Sequence, residues 1–249
     1  MDNLTLSLIF LLIGTFLAAG LVKGVTGMGL PTVAMGLLTI ALSPVAAAAM
    51  LVVPSFVTNL WQLLAGPNTG AVVRRLWPMM LGIIAGTLAG TALLAKVDAR
   101  WSGAGLGLAL MLYAAWALRA PHMAVPATAQ RWLGPLVGIV TGVITGATGV
   151  FVMPAVPYLQ ALQLNKDDLV QALGLSFTVS TVALALGLSS HGAFNAGQLG
   201  VSALVVIPAL LGMWLGQVIR QRISAVAFRR GFLLFLLLLG LELLVRPFW

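Results

Sequence analysis

The sequence predicts an all-α polytopic membrane protein: two inverted repeats, each with a glycine-broken helix and a short half-helix, and eight to ten transmembrane segments. Three observations lead there. The first is composition. Of 249 residues, 61% are hydrophobic and 7% charged, whereas a soluble domain has about 25% charged residues. Thirteen basic and five acidic side chains cannot cover a water-facing surface of that size. The apolar runs are continuous and rich in Leu, Ala and Gly, so the spans are helices rather than alternating barrel strands. The second is a motif that occurs twice. Gly20–Pro31 reads GLVKGVTGMGLP and Gly142–Pro154 reads GVITGATGVFVMP. Each holds Gly-(Val/Ala)-Thr-Gly inside an apolar run and is followed by proline, and glycine and proline both disfavour a helix interior. The third is the placement of charge, taken up below.

In order, the first run is Leu4–Val22, ending at Lys23 and the first break. The N-terminus lacks a basic n-region, so this run reads as a retained span rather than a signal peptide. Leu30–Leu42 is short. Ser43-Pro44 opens Val45–Ala65, which Gly66-Pro67-Asn68 closes. Arg74-Arg75 precedes Leu76–Ala95, and Gly103–Leu118 is the fifth run. Arg119–Arg131 is the long polar connection, read as a linker. Trp132–Thr145 leads into the second break, and Val150–Leu164 is again short. Asn165 caps Leu169–Leu188, with Asp167 and Asp168 in its first turn. Leu199–Ile219 and Phe232–Val245 complete the chain.

The halves align at an offset of 122 around the breaks: Gly20 on Gly142, Gly24 on Gly146, Thr26 on Thr148, Gly27 on Gly149. Later the offset is 126: Gly86 on Gly212, Gly90 on Gly216, Lys96 on Arg222. The expected organisation is repeat 1 at 1–118, a linker at 119–131, and repeat 2 at 132–249. Five crossings per repeat would invert the second copy. Charge agrees. With ten crossings, Lys23, Arg74, Arg75, Arg119, Arg131, Lys166, Arg220, Arg222, Arg229 and Arg230 share one face. Lys96 and Arg100 lie on the other, so the positive-inside rule puts both termini outside. Basic residues placed singly or in pairs between spans are topology signals, so the net charge of +8 does not indicate nucleic acid.

Two glycine-rich breaks, each after an apolar helix and before a short helix with proline, resemble the TauE/SafE family, also called the sulfite exporter family. The likeness runs through nearly the whole chain. It departs from the usual adjacent glycines at Thr26 and Met28 and at Val150-Phe151. The resemblance implies a transporter in the bacterial cytoplasmic membrane, surrounded by lipid, that exports sulfite, sulfoacetate or another organosulfur anion. Whether it forms a homodimer stays open.

The residues suggest a site independently. A helix broken at corresponding positions of two halves points to a transporter's binding site. Trp132–Thr145 spans about 21 Å at 1.5 Å per residue, so the second break falls inside a hydrocarbon core about 30 Å thick. A short helix after a break presents free N–H groups and the positive end of its dipole. The expected pocket joins the N–H groups of Gly27, Met28, Gly149 and Val150, with Gly24, Gly146, Thr26 and Thr148 beside them. Lys23 is either a buried cation for the anion or a lysine snorkelling to the interface. Asn59 and Gln171 either line a polar cavity or bond a neighbouring helix. Glycines recurring every fourth residue, as at Gly82, Gly86 and Gly90, read as packing faces. His122 and His191 cannot make a metal site alone, and the absence of cysteine excludes thiolate sites and disulfides. No P-loop, G-x-G-x-x-G or Ser/His/Asp set is present. The sequence therefore calls for no cofactor and favours a non-enzyme: a secondary transporter working by alternating access, or else a channel-like or uniport pathway for another small anion.

Overall fold

The computed structural model describes residues 3–119, 124–192, 196–222 and 224–248. His122 and part of the expected linker lie outside the described residues. The described chain is helical, with no strand. The helices are α1 (Asn3–Thr26), α2 (Leu30–Leu38), α3 (Pro44–Leu64), α4 (Thr69–Lys96), α5 (Ala99–Arg119), α6 (Ala127–Thr148), α7 (Ala155–Ala161), α8 (Lys166–Ser190), α9 (Ala196–Leu204), α10 (Val206–Arg220) and α11 (Ala225–Val245). A 3₁₀ turn, Arg246–Phe248, follows.

Seven of the described segments are long and apolar enough to cross a membrane: α1, α3, α4, α5, α8, the α9–α10 stretch from Gly200, and α11. The protein is an all-α, multi-pass membrane protein. At 22 residues α6 has the length of a span, but it begins Ala-Thr-Ala-Gln-Arg and is diluted by Gly and Thr. α2 and α7, at 9 and 7 residues, are half-length.

Local chemistry sets the ends. Ser43 caps α3 by accepting from Ala46 N–H, and Asn165 caps α8 by accepting from Asp168 N–H at 2.8 Å. α4 starts at Thr69, earlier than expected, so Arg74 and Arg75 sit on its first turns; Arg75 reaches Gln130 at 3.0 Å. The expected ninth run is two helices parted at Val205. Pro208 explains the break, because its ring cannot sit against the Leu204 carbonyl but is tolerated in a new helix's first turn. Pro54 inside α3 leaves the Met50 carbonyl without its ladder donor. Ser202 on α9 donates to that carbonyl at 2.7 Å and accepts from Val53 N–H.

The breaks fall at the second glycine of each motif. α1 and α6 run through Gly24 and Gly146 to Thr26 and Thr148. Gly27 (φ 80°), Gly29 (φ 100°) and Gly149 (φ 71°) then take the left-handed conformation, which costs glycine little.

Packing repeats in kind. α1 crosses α10, and α6 crosses α4; α3 pairs with α8, and α5 with α11. The two crossings use glycine in the same way. A Cβ on Gly20 would lie 2.1 Å from the Ala209 carbonyl oxygen, and one on Gly24 2.2 Å from that of Met213. Gly142 and Gly146 stand 2.4 and 2.3 Å from the carbonyls of Ile83 and Thr87. In the reverse direction Gly212 and Gly216 meet Leu17 and Leu21, while Gly86 and Gly90 meet Ile139 and Val143. All four pairs correspond at the offsets of 122 and 126. With no side chain between them, the backbones approach closely, and dispersion holds the helices where the hydrophobic effect cannot.

The ends of the bundle differ in charge. Asn68 donates to Asp168 at 2.8 Å, Val125 N–H to Ala161 at 2.9 Å, and Arg229 to the Ala117 carbonyl at 3.4 Å. These links, with Arg75–Gln130, gather the ten basic residues named above toward one end. Lys96, Arg100 and Arg246 are at the other, where Arg246 donates to the Thr39 and Ile40 carbonyls and Trp101 meets Phe248 edge-on.

Candidate functional site

A cavity of about 670 Å³ opens at the basic end between α1, α3, α8 and α10. Lys23, Gly24 and Gly27 of the first break line it, with Thr58, Gln62 and Gln171 opposite and Lys166 and Arg220 at its rim. Asp167 also lies on the rim. Another hollow, about 560 Å³ at the opposite end, is lined by the α2–α3 turn, Arg100 and Arg246. It touches neither break and holds no buried charge, so the first cavity is the functional candidate.

Lys23 is 3% exposed. Its ammonium donates to Thr58 Oγ1 at 3.2 Å and to Asn59 Oδ1. Thr58 can accept because its own proton goes back to the Pro54 carbonyl at 2.8 Å. Both partners are neutral, so the buried charge has no carboxylate against it. An ammonium has three donors, and these bonds use two. Asn59 Nδ2 is buried with no partner. A cation and an amide donor are thus held together under the cavity floor, and buried donors of this kind persist where something accepts from them.

Gln171 has a different position. Its Nε2 donates to the Leu63 carbonyl and to Thr69 Oγ1, both at 2.8 Å, and its Oε1 accepts from Asn68 N–H at 3.0 Å. It lines the cavity wall and ties the α3–α4 turn to α8, assisted by Gln62, which donates to the Val170 carbonyl at 3.0 Å.

The two breaks are not alike. A Cβ on Gly27 would meet nothing within 4 Å. One on Gly149 would meet Met35 Sδ at 2.8 Å, and Val150 and Phe151 are fully buried. The expected convergence of four free N–H groups is corrected by their bonds. Gly27 N–H goes to the Lys23 carbonyl and Gly149 N–H to that of Thr145, each at 2.7 Å. Met28 and Val150 N–H go to the hydroxyls of Thr26 and Thr148 at 3.3 Å. These hydroxyls in turn donate to backbone carbonyls, Thr26 to Val22 or Met28 and Thr148 to Ile144. Each break therefore satisfies its own helix end.

Of the residues read from sequence, Lys23, Gly24, Gly27 and Gln171 line the cavity and Asn59 sits behind Lys23. Thr26, Met28, Gly146, Thr148, Gly149 and Val150 are not among its lining residues. Thr58, Lys166 and Arg220 were not expected in the site. Thr58 adjoins Asn59 in sequence, and the two cations lie at the start of α8 and the end of α10, on the face where the charge pattern places Lys23.

A family model described as "Sulfite exporter TauE/SafE" matches residues 12–243. The chain belongs to the TauE/SafE sulfite exporter family. The match takes in both breaks, Lys23 and every helix that walls the cavity. No curated protein and no solved structure matches this TauE/SafE chain. Membership makes it a membrane transporter of the sulfite and anion exporter type, and transport, rather than a reaction, is what the family provides.

Proposed function

We propose that this chain is a secondary transporter that exports a small sulfur-containing anion, sulfite, sulfoacetate or a related organosulfonate, across the bacterial cytoplasmic membrane by alternating access. The observation that carries the reading is Lys23: a buried ammonium, bonded only to neutral side chains, beneath a cavity open at the basic end. Under the positive-inside rule that end faces the cytoplasm. The rim cations Lys166 and Arg220 draw an anion in. The remaining Lys23 N–H then donates to a sulfonate or sulfite oxygen, and the Asn59 amide behind it holds the ammonium in place. Once charge is balanced, the occupied site can be closed off in low dielectric at less cost than either ion alone.

The repeats at 1–118 and 132–249, joined through 119–131, supply the two states. The matched glycine crossings support this arrangement, with the copies inverted by their five crossings each. A uniport pathway for another small anion is the second reading. It is favoured by the described acidic residues: Asp98, Asp167 and Asp168 lie at helix ends and Glu242 in the last turn of α11, and Lys23 bonds Thr58 and Asn59 rather than any of these four.

The test is flux in proteoliposomes with sulfite, sulfoacetate and sulfate, each with and without Na⁺ or pH gradients. Sulfite or sulfoacetate should move faster than sulfate, and a gradient that accelerates it names the coupling ion. No flux above protein-free vesicles for any of the three would overturn the reading.

A further inference from the structure

The open cavity has an image in the other half of the chain, and that image is shut. At offset 122, Lys23 falls on Thr145, Thr58 on Ser180 and Ala65 on Gly187. At offset 126, Met213 falls on Thr87 and Gln217 on Thr91. Lys23, Thr58, Ala65, Met213 and Gln217 all line the cavity. Their counterparts lie on α4, α6 and α8, which pack on one another, and all are buried.

The closure is tight. A Cβ on Gly187 would lie 2.5 Å from the Thr91 side chain, and one on Gly146 2.6 Å from Thr91 N. Thr91 is thus wedged between α6 and α8. Its counterpart Gln217, and Gly187's counterpart Ala65, are exposed on opposite walls of the cavity. α4 packs along α8, whereas α3 meets α9 and only the edge of α10. The same elements are therefore apart at one end and pressed together at the other.

The shut seam is also polar without cause. Ser180 Oγ and Thr87 Oγ1 are wholly buried and have no hydrogen-bond partner. Hydroxyls are costly in a dry seam, and they make sense where the seam is wet or occupied for part of a cycle.

We infer that the α4–α6–α8 seam is the second mouth of the transport path, and that it opens as the cavity at the basic end closes. When open it passes the same small oxyanion over the hydroxyls of Ser180, Thr87 and Thr145. Thr145 stands where Lys23 stands, so this mouth offers donors and no fixed charge. It releases what the cationic mouth captures. The inference rests on the alternating-access reading above, but its test uses no substrate.

The chain has no native cysteine, so single variants report directly. In sealed vesicles, a membrane-impermeant thiol reagent is added on the side of the Arg100–Arg246 end. A minor open state is about 0.1–10% populated. Thr91→Cys should therefore label about 10- to 1,000-fold more slowly than exposed Val97→Cys, while Ala114→Cys, buried on α5 away from the seam, stays unlabelled. Adding Gly187→Ala wedges the seam through its Cβ. It should accelerate labelling at position 91 and slow labelling of Ala65→Cys from the basic end. Labelling at position 91 no faster than at position 114, or acceleration there with no change at position 65, would overturn the proposal. If Gly187→Ala fails to insert, the comparison of positions 91 and 114 decides alone. Flux failing in proteoliposomes while labelling succeeds would sink the substrate and spare the gate.

Discussion

Replacing Lys23 by methionine separates binding from folding. Methionine keeps the length and apolar stem and removes the charge. The variant loses the bonds to Thr58 Oγ1 and Asn59 Oδ1, leaving two buried acceptors unmet at about 1–3 kcal/mol each. Against this, it removes a lysine from the last turn of α1, which offsets at most the about 2.5–3.5 kcal/mol that a central lysine costs on insertion scales. These terms oppose each other, so the protein should insert and survive in detergent. Substrate sees no such offset. A charge-assisted hydrogen bond contributes about 1.5–3 kcal/mol, and each 1.4 kcal/mol is tenfold in affinity. The half-saturating concentration for sulfite or sulfoacetate should rise about 10- to 150-fold. Initial rates in proteoliposomes against anion concentration, with insertion checked by size exclusion, measure this. Wild-type concentration dependence in Lys23→Met would refute the assignment of Lys23 as the anion's counter-charge.

Gln171→Leu should lower thermal stability by about 2–4 kcal/mol, because it deletes three hydrogen bonds of about 0.5–1.5 kcal/mol each that pin the α3–α4 turn; unfolding in detergent reads it. Gly27→Val meets no neighbour within 4 Å and projects into the cavity, so it should insert and abolish flux, at a stability cost from a β-branched residue at φ 80°. Gly86→Val should instead fail to accumulate, since its Cβ would start 2.2 Å from the Ile139 carbonyl; yield in membranes separates the two. Both termini should face the exterior and Arg229-Arg230 the cytoplasm, and single-cysteine labelling from outside should mark position 2 and not position 229.

The parts of the fold legible in sequence are those set by single-residue physics. Gly27 and Gly149 end helices because their positive φ suits glycine, and charge sorted the two ends because lipid excludes it. What was not legible depends on partners far apart in the chain. Ser202 meets the Met50 carbonyl across 152 positions, and only Pro54 hinted that such a carbonyl existed. Lys23 meets Asn59 across 36. Residue types at these positions fit a snorkelling lysine as well as a buried one, and helix packing buries it against Thr58 and Asn59. For Gln171 the sequence leaves a cavity residue and a helix-bonding residue as alternatives; its side chain lines the cavity wall and its three bonds also make it a brace.

Gly-(Val/Ala)-Thr-Gly reads as one device used twice, yet its copies sit in different surroundings. Each threonine caps its own helix end, and each first glycine, Gly24 or Gly146, packs against a carbonyl. What differs is the residue before the motif. Lys23 cannot be buried against α10 and α3 without partners, so it holds Thr58 and Asn59 and keeps a polar cavity beside it. Thr145 is small enough to turn its hydroxyl to the Val150 carbonyl at 3.2 Å, and the surrounding helices can then close completely. The duplicated motif therefore supplies the break, and the single lysine supplies the bias between the two mouths. Thr145→Lys should populate the opposite opening, because a second unpaired ammonium in the α4–α6–α8 seam could not stay dry. That shift would appear as faster thiol labelling at position 91 from the Arg100–Arg246 side, and unchanged labelling would show that Lys23 does not set the resting state.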